Sequence, residues 1–64
     1  MELIVKFRKS FTAGRRKYKK GDYAILMISC TIKKRSQAEV WFDERTESDT
    51  VNLDELFDAV EVIK

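Results

Sequence analysis

Leu3, Val5 and Phe7 alternate with Ile4, Lys6 and Arg8. A repeat of two places alternate side chains on opposite faces, so the segment is expected to form a strand. Ser10 to Lys17 is small, polar and basic around Gly14, and it is expected as an exposed loop pinned by Phe11. Tyr18-Lys19-Lys20-Gly21-Asp22 then has the composition of a turn, in which glycine supplies the positive φ of a type II bend. Tyr23 to Thr31 follows as a second strand, with Ala24, Leu26, Ile28 and Cys30 in one phase and Tyr23, Ile25 and Met27 in the other. Both phases are apolar at its start, which predicts a strand that is central or covered on both sides.

Lys33 to Gln37 reads as a polar hairpin loop, and Ala38 to Asp43 as a third strand. Val40 and Phe42 share one face of that strand, while Glu39, Trp41 and Asp43 share the other. Glu44 to Asp49 is polar, and Thr50-Val51 begins a short fourth strand. In the tail, Leu53, Leu56, Phe57, Val60 and Ile63 fit a helical stripe that Asn52 can cap. The β-branched alternation Val60-Glu61-Val62 instead favours extended chain. The expectation is a short helical turn at Leu53–Phe57 and a closing strand at Ala59–Ile63.

This order of parts resembles the Src-homology-3-type small barrel. Tyr18-Lys19-Lys20-Gly21-Asp22 looks like the diverging turn of that family, and Ala24, Leu26 and Ile28 fall where its core residues fall. Val51-Asn52-Leu53 through Glu61-Val62-Ile63 looks like its 3₁₀ turn and last strand. The resemblance implies an all-β, SH3-like five-stranded small barrel with one short helical turn near the C-terminus, in a single domain over residues 1–64. The clustered aromatic shelf and the Pro-x-x-Tyr tail used by peptide-binding members are absent, so only the barrel carries over.

Composition narrows the chemistry. Sixty-four residues make one domain with a modest core. Cys30 is the lone cysteine and there is no histidine, so an intrachain disulfide, a cysteine–histidine nucleophile and a zinc site are all ruled out. Oligomerisation is then the remaining external source of stability, and a homodimer is expected as one form of the protein. The carboxylates Glu44, Glu47, Asp49, Asp54, Glu55 and Asp58 match no calcium-loop spacing and read as a solvated face. No apolar run is long enough to cross a membrane as a helix. No cofactor is expected, and the free thiol suggests a cytoplasmic setting.

The net charge of +2 conceals a segregation. Residues 1–35 hold eleven Lys and Arg against two acids, and residues 36–64 hold nine acids against two bases. The expected function is a non-enzymatic binding module, in the first place a nucleic-acid-associated accessory protein that contacts phosphates through basic loops, with a protein-interaction role as the alternative. Arg15, Arg16, Lys17, Lys19 and Lys20, joined by Lys33, Lys34 and Arg35 on a second loop, suit the phosphate backbone of DNA or RNA. Trp41, flanked by Glu39 and Asp43, suits a protein partner. The second surface would make the chain a protein–protein interaction module or a small regulator of phage or mobile-element origin.

Overall fold

The computed structural model describes residues 2–33 and 36–64, and of residues 30–33 the backbone alone. It is mainly β. The elements are β1 (Glu2–Phe7), β2 (Phe11–Ala13), β3 (Arg16–Tyr18), β4 (Tyr23–Lys33), β5 (Gln37–Phe42), β6 (Asp49–Asn52), α1 (Leu53–Ala59) and β7 (Val60–Val62). Five strands form one antiparallel sheet in the order β6-β5-β4-β1-β7, and β2 and β3 form a separate two-stranded ribbon.

One face of the large sheet carries the core. Val5 and Phe7 of β1, Ala24, Leu26 and Ile28 of β4, and Ala38, Val40 and Phe42 of β5 are buried there, with Val51, Leu56 and Val60. These are the alternate positions that the sequence phase selects. The buried placement expected for Cys30 lies outside the described side chains. The register between β4 and β5 shifts between Ile28 and Ile32, an irregularity of the kind that bends a long strand.

Two expectations are corrected. The sheet is not a closed barrel: β6 and β7 are its two edges and do not pair with each other. Helix α1 lies between them, contacting both and driving Leu56 and Ala59 into the core where a closing strand pair would stand. Ser10 to Lys17 is not an exposed loop but supplies most of the ribbon β2–β3, which Tyr18 completes, with Phe11 opposite Tyr18 and Ala13 buried opposite Arg16. Strand β4 is central, as its apolar phases lead one to expect, and among the described residues it is covered on one side, leaving Tyr23 56% and Met27 49% exposed.

The tail resolves as helix first and strand second. The Asn52 side chain accepts the Glu55 amide at 3.0 Å and starts α1. At the other end α1 has no basic residue of its own in its last turn. Arg8 serves instead: its guanidinium donates to the carbonyls of Phe57 (3.2 Å) and Asp58 (2.9 Å), and its amide to that of Ala59 (2.7 Å). Cations and donors at a helix C-terminus satisfy carbonyls that the helix itself leaves open. Val60–Val62 then pairs with β1.

Candidate functional site

The ribbon β2–β3 is held on the core by aromatic stacking. Phe11 and Tyr18, opposite each other in the ribbon, lie against Phe7 with ring centroids 5.9 and 4.5 Å away, and Tyr18 also stacks on Phe42 at 5.5 Å. Its tip is fastened to the edge strand β6. Arg16 Nη1 donates to Asp49 Oδ2 at 2.9 Å, and both side chains are largely buried. Gly14 makes that approach possible. It sits at φ +59°, and a Cβ there would fall 2.3 Å from Asp49 Oδ1.

Between the ribbon and the 43–49 segment opens a cleft of about 900 Å³. Its lining includes the cations Arg15, Arg16, Lys17 and Arg45 and the carboxylates Asp43, Glu47 and Asp49. The basic run is therefore divided. Arg16 is withdrawn into its ion pair, while Arg15, Lys17, Lys19 and Lys20 stay exposed, with no carboxylate partner among the described residues. Lys19 and Lys20 sit in a turn closed by the Asp22 carboxylate on the Lys19 amide, with Gly21 at φ +97°. Lys33 ends β4, and its side chain, with Lys34 and Arg35, lies outside what the structure describes. Lys9, further along, is paired with Asp58, which holds that carboxyl below its ordinary range.

Asp43 is separated from Trp41 in its role. At φ 55° it leaves the strand, and its carboxylate accepts the Tyr18 hydroxyl at 2.9 Å and the Ile25 amide at 3.1 Å. Burial, then the hydrogen bond to that carboxylate, push the Tyr18 hydroxyl well above the ordinary tyrosine value. Nothing in the sequence spacing points to this pair or to Arg16–Asp49. Both join residues far apart along the chain.

The outer face of the sheet is the other candidate. Glu2, Ile4 and Lys6 of β1 lie opposite Met27, Ile25 and Tyr23 of β4, and Met27 lies opposite Trp41 of β5. All of these alternate with the core positions and so face away from the core. Glu2, Ile25, Met27 and Trp41, with Glu44 and Arg45, line a hollow of about 350 Å³. Trp41 is half-buried in this setting, and the Lys6 ammonium lies 5.6 Å from the centroid of the Tyr23 ring. Glu39, two residues before Trp41, lies opposite Thr50 of β6.

Among the described residues no group of His, Cys, Asp and Glu side chains comes together to hold a metal ion, and no helix is long and apolar enough to cross a membrane. No protein-family model matches the chain, and neither the curated proteins nor the solved structures include a detectable match.

Proposed function

We propose that the chain is a non-catalytic protein-interaction module that docks through the outer face of its large sheet. The observation that carries this reading is the contiguous apolar surface of Ile4, Tyr23, Ile25, Met27 and Trp41, spread over three adjacent strands with none of the described elements laid across it. Soluble domains rarely leave such a patch open without a use for it. Trp41 beside a shallow hollow is a suitable anchor, and Glu2, Glu44 and Arg45 supply a polar rim. The strand order, with a ribbon and a diverging turn between β1 and β4, supports placing the module near the Src-homology-3-type architecture, opened at one seam by α1.

A photo-reactive residue at position 27 tests the reading. It should crosslink to one defined protein, and Trp41→Ala should abolish the adduct while the circular dichroism spectrum is unchanged. An adduct that survives Trp41→Ala, or the lack of any adduct from this face, would refute docking there.

The four exposed cations Arg15, Lys17, Lys19 and Lys20 favour a second reading, binding of nucleic-acid phosphates. Removing a cation that neutralises a phosphate should flatten the dependence of affinity on salt. Arg15→Glu with Lys17→Glu should weaken binding of a labelled oligonucleotide and lower that slope. Equal affinity in the variant would dismiss this second surface.

A further inference from the structure

The geometry points to a second copy of this chain as the occupant of the outer face, packed sheet to sheet about a two-fold axis. The inference rests on the docking reading above and names its partner.

The argument is one of self-complementarity. On β1, Ile4 is flanked two residues away by Glu2 on one side and Lys6 on the other. On β4, Ile25 is flanked by Met27 and Tyr23, and the register sets Glu2 beside Met27, Ile4 beside Ile25 and Lys6 beside Tyr23. The patch thus has an isoleucine row at its centre, an acid with a thioether at one end, and a base with an aromatic ring at the other. A two-fold axis along the isoleucine row exchanges the ends. It brings Glu2 over Lys6 of the second copy and Met27 over the Tyr23 ring of the second copy, each pairing occurring twice. Opposite charges at a rim fix orientation, and sulfur–aromatic contacts are favourable. An isologous interface must be complementary to itself in this way. Two aligned sheets pack at about 10 Å with their strands within about 30° of each other, which this operation allows.

Size is also adequate. The molecule measures 28 × 24 × 22 Å. A face of those dimensions can supply the roughly 500 Å² per partner that brings an interface to about 1,000 Å² in total. A domain of 64 residues whose single cysteine allows no intrachain disulfide gains stability from such burial.

The test is sedimentation velocity of the full chain over a dilution series at low salt. The wild type should show a reversible monomer–dimer equilibrium, and Met27→Asp should abolish it. Glu2→Lys alone and Lys6→Glu alone should each raise the dissociation constant about tenfold or more. The double exchange, Glu2→Lys with Lys6→Glu, should restore dimerisation. Restoration is the decisive arm. Lys6 also lies opposite Glu61 of its own chain, so Lys6→Glu introduces an internal repulsion. Glu2→Lys cannot relieve that within the chain, because the two sites are about 13 Å apart along one strand. Far-ultraviolet circular dichroism confirms that each variant is folded.

A chain that stays monomeric overturns the inference. So does a dimer indifferent to Met27→Asp, or a double exchange that fails to recover. A monomeric chain that still crosslinks through position 27 to a different protein removes the second copy alone and leaves the docking reading intact. Loss of both removes the docking reading as well.

Discussion

The two faces of the large sheet are built from neighbouring residues and meet opposite fates. Leu26 is fully buried and Met27, the next residue, is about half exposed. The inner face is sealed by two separate devices, the ribbon β2–β3 and the helix α1, each with its own fastening. No described element covers the outer face. An apolar side chain therefore means core on one face and open surface on the other, and the difference is made by what the rest of the described chain brings over it. The hydrophobic effect rewards burial wherever a cover is available, without regard to which side of the strand supplies it.

The largest effect should separate the two neighbours directly. Leu26→Ala removes a packed side chain and should cost about 2–5 kcal/mol. Met27→Ala, measured in dilute solution, should stay within about 0.5 kcal/mol. Chemical denaturation of both variants checks the contrast, and equal losses would mean that the outer face is covered too.

Next comes the fastening of the ribbon. Gly14→Ala forces a Cβ onto the Asp49 carboxylate at a backbone angle unfavourable to alanine. It should cost about 1–3 kcal/mol and loosen the ribbon before the sheet. Hydrogen exchange at the amides of residues 11–18 would reveal the order of opening. The other seal is weaker. Asn52→Ala removes the cap of a seven-residue helix and should cost about 1 kcal/mol in the same denaturation assay.

The smallest effect near neutrality sharpens the comparison in alkali. The Tyr18 hydroxyl is held protonated by burial and by Asp43, so the unfolded chain gives up its proton first. That contribution to stability is complete below about pH 10, the ordinary tyrosine value, and is lost as pH rises beyond it. Tyr18→Phe should make the alkaline fall shallower, and an unchanged slope would place the titrating group elsewhere.

Much of the inner face is legible in the sequence. The alternations Leu3-Val5-Phe7, Ala24-Leu26-Ile28 and Val40-Phe42 mark the core phase, and Asn52 marks the helix start. The ribbon is hidden because its charge outweighs its pattern: Phe11, Ala13 and Tyr18 point inward, but Arg15, Arg16 and Lys17 crowd the same stretch. The uncovered side of β4 is hidden because apolar residues in both phases do not distinguish a second layer of the same chain from an open face. Arg16–Asp49 and Tyr18–Asp43 have no local signature, since tertiary ion pairs and hydrogen bonds leave no periodicity behind. Of the candidate cations, Arg16 belongs to the framework, and Arg15, Lys17, Lys19 and Lys20 remain at the surface. Trp41 does lie on the outer face, while Asp43 turns away to Tyr18.

The pairing of β1 with β7 also bears on how fast the fold is reached. Val5 meets Val62 across the sheet, so one edge of β1 waits until almost the whole length of polypeptide has been looped back. Loop closure over such spans is slow, and refolding on a timescale of about milliseconds to seconds is expected. The chain contains no proline, so no isomerisation phase can mask this step. Stopped-flow kinetics on this molecule would read out the entropy of bringing distant segments together with unusual directness.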